Sequence, residues 1–196
     1  MPTKAFIFDL DGVIIDSENA WDKLYSQTPG QSLGQSIKSS YQNAKKSHPQ
    51  LSWTTYFSTL NSQAKIIYNQ AALTPGINQL LKKLVKDNYQ LAVVSGSTEK
   101  WIKYVLKRLN YPIKMIISLH DHPRLKPKPA PDGYLAAIKQ LQVKPENTLI
   151  LEDSNTGVQS AKAAGAYVIC LTQHWPKNYS APGADKYIKN LTEIKL

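Results

Sequence analysis

Five short apolar runs, almost uninterrupted, limit how this chain can fold. They span about Lys4–Leu10, Gln90–Val94, Ile113–Ser118, Thr148–Leu151 and Tyr167–Leu171. A strand with one wet face alternates apolar and polar residues; a strand covered on both faces does not. The runs therefore predict strands buried on both sides. The stretches between the later runs are amphipathic with the helical period. Ile77, Leu80, Leu81, Leu84 and Val85 form one stripe. Trp101, Ile102, Val105, Leu106 and Leu109 form a second, and Leu135, Ile138 and Leu141 a third. Ser154 or Asn155 can cap a further helix that Gly165 ends. This alternation predicts an α/β fold, a Rossmann-like parallel sheet with helices on both faces. In such folds ligands bind beyond the carboxyl ends of the strands.

One segment breaks the alternation. Residues 17–72 carry seven charged side chains but 25 Ser, Thr, Asn and Gln. Within it, Trp53, Tyr56, Phe57, Leu60, Ala64, Ile67 and Ala71 recur at helical spacing. Trp21, Leu24 and Tyr25 predict another helix, and Ile37, Tyr41 and Ala44 a third. The segment reads as a small helical domain, 17–72, inserted after the first strand. Residues 1–16 and 73–196 then form the α/β core. The insertion's aromatics read as core residues rather than as a platform for a ligand.

Polar groups recur where the apolar runs end. Asp9 and Asp11 close the first run, and Gly12 lets the chain leave the sheet there. Two carboxylates one residue apart share a strand face and repel unless a cation or a shared proton intervenes. Oxygen ligands of this kind suit Mg²⁺. One carboxylate can then attack phosphorus while the other handles the proton. Asp-x-Asp-Gly also suits a plain surface turn. Ser95, Gly96 and Ser97 follow the second run, and Glu152 and Asp153 the fourth. Lys128 lies in the loop Lys126-Pro127-Lys128-Pro129-Ala130-Pro131. A parallel sheet brings these ends to one edge, so acids, hydroxyls and a lysine share a site.

Taken in order, these pieces resemble the haloacid dehalogenase superfamily, in its β-phosphoglucomutase-like branch with a helical cap. The matching segments are Phe8-Asp9-Leu10-Asp11-Gly12-Val13-Ile14-Ile15-Asp16-Ser17-Glu18, Val93-Val94-Ser95-Gly96-Ser97, Lys128-Pro129-Ala130-Pro131-Asp132 and Leu151-Glu152-Asp153-Ser154-Asn155-Thr156-Gly157, with Ala163-Ala164-Gly165. They cover nearly all of the core and none of the insertion. The resemblance implies Asp9 as the nucleophile that becomes an aspartyl-phosphate and as a metal ligand. It implies Asp11 as general acid/base, with its backbone carbonyl on the metal. It implies Asp153 as a direct Mg²⁺ ligand, with Glu152 assisting directly or through water. Ser95, Gly96 and Ser97 would cradle the phosphate, and Lys128 would stabilise nucleophile and transferring group. The implied activity is a Mg²⁺-dependent phosphatase of a small phosphorylated metabolite. A phosphomutase on the same site is the alternative; a mutase must shield its phospho-enzyme from water. Dehalogenase chemistry needs no metal and no second acid, yet both are provided for. Two departures stand out. Pro127 replaces a frequent Gly, and the insertion is shorter and more polar than this branch leads one to expect.

Composition narrows the partners. The longest apolar runs are far too short to span a membrane, so a soluble protein is expected. Met1-Pro2-Thr3-Lys4 leads straight into the first run without an apolar leader. Cys170, alone in an apolar run, reads as an inert small hydrophobe, consistent with a reducing cytoplasm. With 24 basic and 14 acidic residues the net charge is +10, which raises a basic binding protein for nucleic acid as an alternative. The lysines are scattered, however. Lys82, Lys83 and Lys86, and Lys100, Lys103 and Lys107, fall on polar helix faces. A solvated face explains them, and steering of an anionic substrate is a second use. No nucleic-acid or membrane partner is expected, and the chain is expected to act as a monomer. His120-Asp121-His122 reads as a loop or as part of a zinc site without an evident third ligand. His48 and His174 have no readable partners.

Overall fold

A computed structural model describes residues 4–17, 20, 21, 23, 24, 37–175 and 177–196. Six strands form one parallel sheet: β1 (Ala5–Phe8), β2 (Gln90–Ser95), β3 (Met115–Ser118), β4 (Thr148–Glu152), β5 (Tyr167–Leu171) and β6 (Lys186–Ile188). Their order is β3-β2-β1-β4-β5-β6. The central strand β1 is wholly buried.

Its side chains alternate between two cores. Phe6 and Phe8 pack with α3 (Ile77–Lys86) and α4 (Glu99–Leu106). Ala5 and Ile7 pack on the other face with α5 (Asp132–Gln140) and α6 (Asn155–Ala163). Helices thus cover both faces, as the apolar runs require. Ser154 caps α6 by accepting the Gly157 amide, and Gly165 follows the helix at φ +80°. Cys170 is buried, and burial pushes its thiol up to about 12.

The insertion contributes α1 (Ile37–Ser47) and α2 (Trp53–Gln70). Trp21 and Leu24 are helical too; Tyr25 and Glu18 lie outside the described residues. On α2 the buried residues are Tyr56, Leu60, Ala64, Ile67 and Tyr68. They join the Phe6–Phe8 core, so the insertion and one sheet face share apolar packing.

Several expectations shift. The first strand ends at Phe8, not Leu10, because the chain turns at Gly12, φ +73°. The Gly12 amide there donates to Ile15 O at 2.8 Å. The third strand starts at Met115. Ile113 is buried but outside the ladder, beside Pro112, which has no amide hydrogen. The fourth extends one residue to Glu152. Val85 and Leu135 are exposed; Tyr134 is buried on α5 instead. β6 was not foreseen. It is a three-residue edge strand carrying a lysine, the short charged form that edges favour. Among the described residues no helix is long and apolar enough to cross a membrane.

Candidate active site

Parallel pairing sets the site's location. Phe8 pairs with Val93 on one side and Leu151 on the other. Asp9 leaves β1 next, its amide still donating to Leu151 O at 2.9 Å. Ser95 is the last residue of β2 and Glu152 the last of β4. The loop between β3 and α5 brings Lys128 to the same edge.

The Lys128 ammonium lies 2.6 Å from Asp9 Oδ1 and 2.5 Å from Glu152 Oε1. Burial alone would lower Lys128, but the two carboxylates hold it well above its usual range, so it is charged. Glu152 is wholly buried. Its Oε1 also accepts from the Tyr134 hydroxyl at 2.5 Å. Its Oε2 accepts from the Asp153 and Ser154 amides and the Ser154 hydroxyl. Burial would raise this carboxyl, yet Lys128 and these donors hold it below its ordinary value. Glu152 is thus an ionised anchor that aims Lys128 at Asp9. A Cβ at Gly157 would fall 2.0 Å from the Glu152 carboxyl, so this position in the first turn of α6 has room only for glycine.

Burial pushes Asp9 up to about 8, against the pull of Lys128. That describes a carboxylate short of positive charge. Asp9, Glu152 and Asp153 each offer an oxygen within 4.8 Å of the others. An all-oxygen acidic cluster fits a hard divalent cation such as Mg²⁺. A Cβ at Gly12 would fall 1.8 Å from Asp153 Oδ2, so the turn leaves room for that carboxylate.

The Asp11 carboxylate takes a different set of partners. Oδ1 accepts from Ser17 at 2.5 Å, and Oδ2 from Tyr68 at 3.1 Å and Ser97 at 3.3 Å. Tyr68 and Ser97 hydroxyls lie 2.8 Å apart, and the Trp21 indole N–H donates to Tyr68 at 3.3 Å. Burial raises Asp11 while the hydroxyl donors oppose it. Burial and the Asp11 charge hold Tyr68 neutral, well above the ordinary phenol range. Ser95 accepts the Ser97 amide at 3.0 Å. A Cβ at Gly96 would meet nothing within 4 Å, so the main chain there borders open space.

The sequence pattern did not single out Ser17, Tyr68 or Tyr134 for the site. Tyr68 follows Ala64 by four residues and so lies on the buried face of α2. A buried phenol must find a polar partner, and that was the available signal. His120-Asp121-His122 does not converge on a metal. His120 stacks on Phe57, Asp121 accepts the Glu99 amide at 2.7 Å, and His122 Nδ1 meets Ser118 O. His174 does have partners: Asp16 Oδ2 at 3.3 Å and Thr74 Oγ1 at 3.4 Å.

A cavity of about 950 Å³ opens over the site, from Asp9 and Lys128 to α1 and Trp53 of the insertion. Residues 6–171 match the sequence model of the haloacid dehalogenase-like hydrolases. The chain belongs to that family. It is 27% identical to validoxylamine A 7′-phosphate phosphatase of Streptomyces hygroscopicus subsp. limoneus, over 98% of this chain and 96% of that one. It is 28% identical to β-phosphoglucomutase of Bacillus subtilis, over 98% and 92%. Its fold superposes on a haloacid dehalogenase-like hydrolase of Entamoeba histolytica with a TM-score of 0.75 at 21% identity, covering 99% and 96%. It is an enzyme of the phosphoric monoester hydrolase class, as the named phosphatases among its relatives indicate.

Proposed function

We propose that this hydrolase is a Mg²⁺-dependent phosphatase of a small phosphorylated metabolite, working through an aspartyl-phosphate on Asp9. The observation that carries the reading is one lysine shared by two buried carboxylates, 2.6 Å from Asp9 and 2.5 Å from Glu152, at the edge of the acidic cluster. An anionic nucleophile attacks a phosphate dianion only when positive charge offsets their repulsion. Lys128, fixed by Glu152, supplies one such charge. Mg²⁺, held by Asp9 and Asp153 with the Asp11 carbonyl, and Glu152 nearby, would supply the rest as a Lewis acid.

Asp9 attacks phosphorus, and the Ser95 hydroxyl with the main chain at Gly96 receives the phosphoryl oxygens, the Ser97 amide holding Ser95 in place. Asp11, raised by burial, protonates the leaving alcohol. The ionised Asp11 then takes a proton from the water that attacks phosphorus of the Asp9 acyl phosphate, breaking its P–O bond to Asp9 and releasing inorganic phosphate. Residues 17–72 act as a cap over this chemistry.

A purified preparation should hydrolyse acetyl phosphate with Mg²⁺ and stop in EDTA. Ca²⁺ should inhibit, because its larger, flexible shell misplaces the in-line geometry. Undiminished turnover by metal-free protein in EDTA contradicts the reading. The likeness to β-phosphoglucomutase keeps a mutase as the second reading; glucose 1,6-bisphosphate-dependent isomerisation of β-glucose 1-phosphate would establish it.

A further inference from the structure

Aromatic and imidazole rings contribute to the lining of the cavity. Trp53, at the start of α2, and His120, after β3, both line it. Their rings are 12° from parallel with centroids 6.5 Å apart. Phe57 stacks against both, at 5.3 Å and 11° on Trp53 and at 5.4 Å and 6° on His120. Trp53 and His120 thus lie in near-parallel planes, each packed against Phe57. Phe57 itself does not line the cavity. The arrangement is a set of near-parallel rings, two of which border the cavity.

Several features fit this surface to a ligand rather than to packing alone. Trp53 is 38% exposed, an unusual position for a residue serving only as core. Burial lowers the His120 pKa, so at neutral pH it offers an uncharged π face. Tyr41, at 5.2 Å and 81° to Trp53, also lines the cavity. Beside it, Gln42 and Asn43 of α1 also line the cavity, bringing amide groups with both donors and acceptors. A volume of about 950 Å³ accepts a ligand of nucleotide size.

We propose that Trp53 and His120 form a stacking platform for the leaving alcohol, and that the substrate is a phosphomonoester whose alcohol carries a planar heteroaromatic ring, as in a nucleoside 5′-monophosphate. This rests on the phosphatase reading for its chemistry. The ring lies on the platform, its polar edge meets Gln42 and Asn43, and its phosphate reaches Asp9. Specificity is then divided between the insertion and the core, because Trp53 comes from one and His120 from the other. The aromatics of the insertion therefore serve two ends: Tyr56 and Tyr68 are core, and Trp53 is platform.

The test compares kcat/KM for uridine 5′-monophosphate, glycerol 3-phosphate, glucose 6-phosphate and acetyl phosphate. Uridine 5′-monophosphate should exceed the two aliphatic monoesters by about tenfold or more, the scale of one base–aromatic stack. Trp53→Ala and His120→Ala should each lower its kcat/KM by a similar factor, mainly through KM. Acetyl phosphate, which cannot reach the platform, should change less than about twofold. Circular dichroism checks that each variant is folded. If acetyl phosphate is hydrolysed but glucose 6-phosphate outruns uridine 5′-monophosphate, or both variants slow every substrate equally, the platform is wrong and the phosphatase stands. If nothing is hydrolysed, the phosphatase reading fails. The platform is then judged by binding alone: uridine should quench tryptophan fluorescence in the wild type and not in Trp53→Phe, and absence of that quench overturns it.

Discussion

Asp11 is the residue whose surroundings say most about its work. Three hydroxyls, from Ser17, Tyr68 and Ser97, point at one carboxylate that burial raises. The two influences oppose: burial favours the protonated acid, and hydroxyl donors favour the ionised base. Such a balance suits a group that must donate in one step and accept in the next. Tyr68 comes from the insertion, so the balance depends on where α2 sits. Replacing Tyr68 with Phe removes a donor to the ionised form, which raises the Asp11 pKa. The alkaline limb of the kcat profile, where the acid form is lost, should move to higher pH. The rate should fall about ten- to a hundredfold, the scale of one hydrogen bond to a charged group. An unmoved limb with an unchanged rate would make Tyr68 a packing residue only.

At the scale of elements, the contact between α2 and α4 ties the insertion to the sheet. Arg108, just after α4, donates from Nη1 to Tyr68 O at 2.6 Å and from Nη2 to Ala71 O at 2.7 Å. These are carbonyls at the end of α2, which have no partner within the helix. Trp101 of α4 donates to Asn61 of α2 at 2.7 Å. The last turn of α2, which carries Tyr68, is therefore fixed by a cation of the core. Arg108→Ala should cost about 2 kcal/mol of stability, two charged hydrogen bonds less the water that replaces them. Amide exchange should accelerate most in the last turn of α2. Activity should fall with it while KM for acetyl phosphate holds. Exchange unchanged in α2 would show that Arg108 does not secure it.

The core elements were legible because buried parallel strands and amphipathic helices write two distinct periods into the chain. What escaped has physical reasons. β6 is too short to show a period. The exposure of Leu135 and burial of Tyr134 depend on which turn of α5 faces the sheet, and spacing alone leaves that open. The acids, Ser95 and Lys128 could be found because each stands at the end of an apolar run or in a proline-rich loop. Tyr68 and Tyr134 could not, because their hydroxyls reach the site from elements that read as packing.

In the whole molecule, two chain segments connect the insertion to the sheet, and they run side by side. Asp16 N donates to Ala72 O at 2.9 Å, Thr74 N donates to Ile14 O at 3.0 Å, and Ile15 bridges Leu73. His174, after β5, touches both, through Asp16 and Thr74. We propose that this paired connection is the hinge on which the insertion moves. The proposed function turns on chemistry: Asp9 would carry the phosphoryl group and Asp11 would move the proton. The direct measurement is acid quenching of enzyme turning over acetyl phosphate, followed by peptide mass mapping. One phosphoryl group is expected on the peptide bearing Asp9. It should accumulate in Asp11→Asn, where hydrolysis loses its base by about 10²–10⁴-fold, and be absent from Asp9→Asn. An Asp9→Asn protein that still turns over substrate, with no phosphopeptide in any variant, would contradict the account.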